Sequence, residues 1–460
     1  MKKSLLSICI TMVLLVVLVG CNSEKTKVVQ DTAAISENRE DVLYKLSIQL
    51  TDYLNSGNID AAMAMMNKEM ISAMDGELVN VWKQLTDSLG EFVETGAYEY
   101  TLSDKYEILE MTLKFKNSNM IQRVVFDSEN KISGLRYLKG EVKGEDSLPD
   151  TITETPVTVD AGERYPLKGI VTMPKDNAPS AAIVLVHGSG PNNMDSAVGA
   201  NSIFKDLAHS LEENGIASFR YDKRTYTHGD AIIKSGKSIT LNDEVFKDAL
   251  AAVEVIKSWD GIDSNKVYLL GHSMGGGLLS YINSKGADCA GYIVMAGTPR
   301  NIWELIVEQN LMLADEFEKS GDLKKADEIR SLVEKEKLKA NKLETLNGEE
   351  IVFNLSADYL REFDEIDTIA LHLKDELPVL VLQGEKDRQV TMKDYELWKD
   401  GLKEHPNTTF ISYTKLNHIF GEYTGKDVLV SQMVSVEYAE RTPVSDDVIR
   451  DITNWIEKLQ

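Results

Sequence analysis

Residues 154–460 predict a doubly wound α/β sheet carrying a helical insertion over 299–376, and a small α+β unit is expected ahead of it over 39–142. Three observations carry this reading. Short β-branched runs, apolar on both faces, alternate with helical segments, which is the pattern of parallel strands covered by helices. One of those strands ends in a glycine–serine turn, Gly271-His272-Ser273-Met274-Gly275. The rhythm then breaks over 299–376, where three helix-like segments stand where one crossover would suffice.

The composition bounds what the fold can do. With 460 residues the chain has room for two or three domains at about 150 residues each. Its 74 acidic against 50 basic side chains leave a net charge of -24, which argues against a nucleic-acid partner because phosphate contacts need a basic surface. Three cysteines are too few for a disulfide scaffold.

The first residues, MKKSLLSICITMVLLVVLVGC, join a basic start (Lys2, Lys3) to an apolar run too short to span a bilayer and to a small residue before a cysteine. An export signal over 1–20 is expected, with an uncleaved anchor helix as the alternative. Leu18-Val19-Gly20-Cys21 resembles the bacterial lipobox, and that resemblance implies acylation of Cys21 as the new N-terminus. Cys9 would leave with the signal and Cys289 would remain as the lone thiol. A diacyl anchor holds a protein stably on the extracytoplasmic face of a bacterial membrane. Losing Lys2 and Lys3 and no acid takes the charge from -24 to -26, so attachment would depend on the lipid and not on electrostatic attraction to anionic headgroups. Residues 21–38, polar and aperiodic, read as a tether.

Over 39–142 the pattern is helices first, then short strands. Leu43, Leu46, Ile48, Leu50 and Leu54 mark one helix, and Asp60 is the expected N-cap of the next. Met63, Met66, Met70 and Met74 recur at helical spacing; core packing is the expected role, an adaptable partner groove the alternative. Strands are expected at 98–102, 106–115 and 121–126, with a turn at 127–130 before Ile132. The unit contains no histidine or cysteine and resembles the uncharacterised domain found ahead of some bacterial hydrolases. Residues 143–153 are charged and turn-rich, and read as the linker.

In the larger unit, edge strands are expected at 157–159 and 167–173, and buried ones at 181–186, 216–221, 267–271, 292–295, 379–382 and 409–413. Within the insertion, Ser320-Gly321-Asp322 marks a turn, and Ala326, Ile329, Leu332 and Val333 form an apolar stripe. An insertion there would lie over the carboxyl ends of the strands as a lid, since ligands bind at those ends. A solvated hairpin remote from the site is the competing reading.

Ser273 sits in a nucleophile-elbow context, an apolar strand before it and a helix expected from about Gly276. Strand and helix meet so tightly at such a turn that Gly271 and Gly275 can carry no side chain. A serine hydroxyl needs a base, and the base needs an orienting acid. His418, in LNHIF after the last expected strand, fits the order nucleophile, acid, histidine that accompanies such an elbow. Asp387, in the glycine turn of LQGEKDRQV, is the expected acid, with Glu385 as competitor. The oxyanion donors are expected to be the backbone N–H of Met274, directly after the nucleophile, and that of Ser189 in the loop His187-Gly188-Ser189-Gly190-Pro191.

HGSGP, FRYDKR, GHSMGG, LQGEKDRQV and LNHIF occur in that order, and residues 154–460 thereby resemble the α/β-hydrolase superfamily, near its dienelactone hydrolase-like and serine aminopeptidase-like branch. Thr225 after YDKR departs from the glycine many relatives carry. The resemblance implies a serine hydrolase acting on a small-molecule acyl ester, with peptidase, amidase, thioesterase and acyltransferase chemistries open to the same residues. A non-catalytic surface-binding lipoprotein is the rival from another class. The segment 231–238 approaches a phosphate-binding loop but lacks its first glycine and a preceding strand, and no metal-ligand or dinucleotide motif occurs, so no metal or cofactor is expected.

Overall fold

The computed structural model describes residues 39–460 except 75–76, 104–105, 117–118, 140–147, 150, 162–164, 176–177, 237–238, 426–432, 439 and 460. The expected signal, Cys21 and the tether lie outside the described residues. Among the described residues no helix is long and apolar enough to cross a membrane. The chain divides into two compact units between Ser147 and Leu148.

In the first unit, helices Arg39–Asn55, Ile59–Ala64, Lys68–Met74 and Glu77–Leu89 precede four antiparallel strands in the order β1-β2-β3-β4. These are β1 (Phe92–Ser103), β2 (Tyr106–Phe115), β3 (Asn119–Phe126) and β4 (Ile132–Lys139). Leu109, Met111 and Leu113 alternate along β2 and bury against Leu43, Leu50 and Leu54 of the first helix. Met66 is buried and Met63 and Met70 pack beside it, so these methionines serve the core; the side chain of Met74 lies outside the described residues. The expected cap at Asp60 is corrected to Asn58, whose Oδ1 accepts from Ala61 N–H at 3.3 Å while Asp60 sits inside the first turn. Either residue can cap; the backbone leaves helical geometry at Asn58, and that decides which one does.

The second unit is built on β5 (Ile152–Val159), β6 (Leu167–Pro174), β7 (Ala181–Val186), β10 (Ile216–Tyr221), β11 (Val267–His272), β12 (Tyr292–Met295), β15 (Val379–Gly384) and β16 (Thr408–Tyr413). Two-residue ladders, β8 (Ala197–Val198) with β9 (Asn201–Ser202) and β13 (Ile351–Val352) with β14 (Leu355–Ser356), stand apart. The sheet order is β16-β15-β12-β11-β7-β10-β6-β5. All neighbours pair parallel from β10 to β16, while β5 and β6 run antiparallel. β7 shows why the central strands read as continuous apolar runs. Ala182, Val184 and Val186 enter the core on one face, and Ala181, Ile183 and Leu185 that on the other. Each fully buried Val, Leu or Ile side chain contributes roughly 1.5–3 kcal/mol of transfer free energy.

The second unit corrects five expectations. β16 is an edge strand, mostly half-buried; its Phe410 and Ile411 look like core by residue type, but among the described residues no strand lies beyond them. β6 lies inside the sheet between β5 and β10, so of the two expected edge strands β5, which carries Pro156, is the one that is an edge. β5 begins at Ile152, so the linker expected to run to 153 ends in ordered pairing. The insertion holds four helices, Ile302–Lys319, Leu323–Ala340, Ala357–Asp364 and Thr368–Asp375. Asp322 caps the second through Lys325 N–H at 3.0 Å. Ala326 and Val333 are buried, with Ile329 packed against the core, whereas Leu332 is 54 % exposed, because one step from Val333 turns it about 100° off the stripe.

Candidate active site

β11 ends at His272, and Ser273 adopts φ +55°, a left-handed conformation that is strained for a residue with a side chain. The helical turn begins at Ser273 itself (Ser273–Leu278), three residues before the expected start at Gly276. A Cβ on Gly271 would lie 2.4 Å from the Gly275 carbonyl oxygen, and one on Gly275 would lie 2.5 Å from the carbonyl oxygens of Val186 and His187. Both positions are closed to any side chain. The Met274 N–H, in the first turn of this helix, has no intrahelical acceptor and stays available to a developing negative charge.

Beside the elbow runs the loop after β7. A Cβ on Gly188 would approach Ser273 Cβ to 3.1 Å and Oγ to 3.7 Å, so the loop backbone lies against the serine. Its carbonyls are gripped from outside. Lys223 Nζ donates to Gly188 O at 2.7 Å, and Asn192 Nδ2 donates to Ser189 O at 3.0 Å and Gly190 O at 3.2 Å. Burial holds the His187 imidazole down to about 3, so it is neutral, and its Nε2–H donates to Tyr221 O at 2.5 Å, tying the ends of β7 and β10 together.

His418 is buried, and its Nδ1–H donates to Asp387 Oδ2 at 2.7 Å. Asp387 is held by three further donors: Gln383 Nε2 at 3.2 Å to Oδ2, and the N–H groups of Gln389 and Val390 at 2.7 and 2.9 Å to Oδ1. That environment fixes the carboxylate's plane and keeps Nε2 of His418 free to accept a proton. Glu385 points elsewhere and accepts from Ser412 Oγ at 2.9 Å, which separates the two competing acids. His272 is buried, pushed down to about 3 by burial and then by the neighbouring His418, and donates from Nε2 to His418 O at 2.8 Å. The residue before the serine thus holds the backbone of the histidine. Among the described residues Ser273 Oγ makes no hydrogen bond to His418, a contact that in unliganded hydrolases often closes only with substrate.

Of the remaining histidines, His209 faces Glu154 at 2.8 Å and His228 the carbonyl of Pro166 at 2.8 Å, while His372 and His405 are buried, the first with its ring against Tyr292 and Trp398. The insertion does reach this end of the sheet. Tyr359 OH lies 3.6 Å from Met274 Sδ, Gln309 Nε2 donates to Gln389 O at 2.9 Å, and Arg388 pairs with Glu316 at 2.8 Å. The insertion therefore buttresses both the elbow and the acid's loop, and is not a remote appendage. Lys223, Gln383 and His272 were given no role by the sequence. All three lie inside the quoted motifs, so the signal was a polar residue beside an apolar strand end.

Comparison with known proteins fits this construction. Residues 177–422 match the family described as serine aminopeptidase, S33, and residues 47–135 match a family described as a protein of unknown function (DUF3887). The chain is 32 % identical over 412 residues to esterase EstD of Thermotoga maritima, covering 88 % of this chain and 93 % of that one. Among solved structures it is similar to Est1E from Butyrivibrio proteoclasticus, at 17 % identity over 66 % of this chain and 99 % of the other with a TM-score of 0.42. It is also similar to a dienelactone hydrolase from Anabaena variabilis, at 14 % identity over 67 % and 98 % with a TM-score of 0.39. By the match across its catalytic unit and the identity it shares with EstD along most of its length, the chain belongs to the serine aminopeptidase S33 family of α/β-hydrolases.

Proposed function

We propose that this hydrolase is a carboxylesterase working through Ser273, His418 and Asp387. The observation that carries the reading is the buried 2.7 Å His418–Asp387 hydrogen bond beside a serine held at φ +55°. His418 Nε2 removes the Ser273 proton as Oγ attacks the ester carbonyl, and the carbonyl electrons move onto oxygen. The Met274 and Ser189 N–H groups receive that charge. Asp387 stabilises the imidazolium, which returns its proton to the leaving alkoxide; an acyl-Ser273 intermediate remains, and water, deprotonated by His418, releases the acid. The 32 % identity to an esterase supports ester over amide substrates. The family description, serine aminopeptidase, keeps aminoacyl amides as the second reading.

A fluorophosphonate probe tests the nucleophile: labelling is expected on Ser273 and lost in Ser273→Ala, whereas labelling elsewhere overturns the assignment. Matched ester and aminoacyl-amide substrates separate the two readings by their kcat/KM ratio. For localisation, the proposal is lipid attachment at Cys21 on the extracytoplasmic membrane face, supported by the lipobox-like Leu18-Val19-Gly20-Cys21. Cys21→Ala should then shift the protein from the membrane to the soluble fraction.

A further inference from the structure

The segment after β10, Asp222-Lys223-Arg224, places three charged side chains in nearly dry surroundings, each less than a tenth exposed. Asp222 Oδ1 accepts from Met194 N–H at 2.8 Å, and Arg224 is bidentate to Asp248 at 2.7 and 3.0 Å. These two ties are complete within the scaffold. Lys223 differs because one of its partners is the backbone of the loop lying against Ser273.

The Lys223 ammonium, 3 % exposed, spans Gly188 O at 2.7 Å and Glu244 Oε1 at 2.8 Å. Glu244 lies in a π-helical turn, Asn242–Phe246, a distortion that often marks a functional position. Its other oxygen, Oε2, accepts from Tyr359 OH at 2.7 Å, and that hydroxyl also lies 3.6 Å from Met274 Sδ. Burial, then the Glu244 charge, pushes the Tyr359 phenol well above its ordinary range, so it stays an O–H donor. Tyr359 belongs to the insertion, on the helix Ala357–Asp364. The result is one continuous buried chain from the insertion through a carboxylate and an ammonium to the Gly188 carbonyl.

A trans peptide is planar, and its C=O and N–H point in opposite directions. The carbonyl of Gly188 and the N–H of Ser189 belong to the same peptide. Holding the carbonyl on Lys223 therefore sets the direction of the N–H, and a flipped peptide would present its oxygen in place of a donor.

We propose that Lys223, Glu244 and Tyr359 are positioning residues that lock the Gly188–Ser189 peptide with its N–H toward the reacting carbonyl, and that the insertion completes the oxyanion hole through Tyr359. This rests on the reading of Ser189 as an oxyanion donor. An ammonium suits the task because it is a strong donor that tolerates no carbonyl turned away from it without losing a buried charge-assisted hydrogen bond. It needs Glu244 because a lone buried cation is strongly disfavoured.

The test uses the full chain, 4-nitrophenyl acetate as substrate and a trifluoromethyl ketone that forms a hemiketal oxyanion on the serine. Lys223→Met combined with Glu244→Gln removes both buried charges together, and Tyr359→Phe removes a single hydroxyl from the chain. Active sites are titrated with the fluorophosphonate, so rates are per competent site. The expected result is a fall in kcat of about 10- to 100-fold in the double variant and about 3- to 10-fold in Tyr359→Phe, with KM within about twofold. The ketone's inhibition constant should rise in step with the fall in kcat, since both report the oxyanion. A purely structural role would lower the melting temperature and the titratable fraction but leave kcat per site and the ketone constant unchanged; that outcome overturns the proposal. If the double variant does not fold, Tyr359→Phe decides by the same two readouts. If wild type is not labelled at Ser273, the triad reading itself has failed, an outcome distinct from normal labelling with an unchanged ketone constant.

Discussion

The two units bury polar groups to different ends. In the first, Thr51 Oγ1 donates to Gln122 Oε1, Gln122 Nε2 donates to Ser47 O, and Tyr137 OH reaches the same Oε1, all at 3.1–3.2 Å. The knot closes on itself and joins a helix to a sheet. In the second, the buried polar chains end on groups of the site itself: Lys223 on Gly188 O, His272 on His418 O, and Gln383 on the Asp387 carboxylate. Polar burial in the first unit specifies packing; in the second, on the proposed mechanism, it aims donors and a base. A strained φ at Ser273 and a chain of buried charges are tolerable there because the surrounding apolar strands over-determine the backbone.

The largest expected effect breaks the second unit's chemistry and leaves its fold. Ser273→Ala should reduce ester turnover by about 10³-fold or more, and Asp387→Asn by about 10³- to 10⁴-fold through the wrong His418 tautomer, both with melting temperature nearly unchanged by calorimetry. Next comes Leu109→Ala, which opens the fully buried core of the first unit and should destabilise it by about 2–5 kcal/mol in denaturant unfolding. Esterase kcat per titrated site should stay at the wild-type value. A proportional fall in kcat would show that the first unit contributes to turnover.

Acid should separate the units more gently. His187, His272 and His372 of the second unit are each lowered from 6.5 to about 3, chiefly by burial. A depressed histidine stabilises fully above pH 6.5, where both states are neutral, and loses that contribution as pH falls from 6.5 toward 3, because the unfolded chain binds protons first. The first unit has no histidine. Its Glu107, held below the usual carboxylate range by the Arg39 guanidinium, adds stability that persists at neutral pH and fades only as pH falls through the carboxylate range. Calorimetry between pH 7 and 5 should therefore lower the second unit's transition while the first stays put; equal shifts would contradict the assignment. The smallest effect is Asn58→Ala, about 1 kcal/mol from the lost cap, confined to the first unit's transition.

How far each feature could be foreseen follows from the range of the interactions behind it. Strand positions, the glycine pair around Ser273, the order of His418 after Asp387 and the helical insertion rest on local periodicity and on turns that admit few residue types. These were legible along the chain. Edge or interior placement of β16 and β6 depends on which strand comes to lie beyond them, which composition does not encode. Leu332 differs from Val333 only by its angle to a partner helix.

By itself, then, the sequence determined a two-part chain with a parallel sheet, a serine elbow and the residue types of a triad, because tight turns and doubly buried strands constrain residues at neighbouring positions. Tertiary structure alone decided which carboxylate faces His418, and that Lys223, Glu244 and Tyr359 meet though Tyr359 lies 115 residues from Glu244. Those contacts depend on how the strands order themselves and where the insertion folds back, and a charge beside an apolar strand end carries no mark of the carbonyl it will hold.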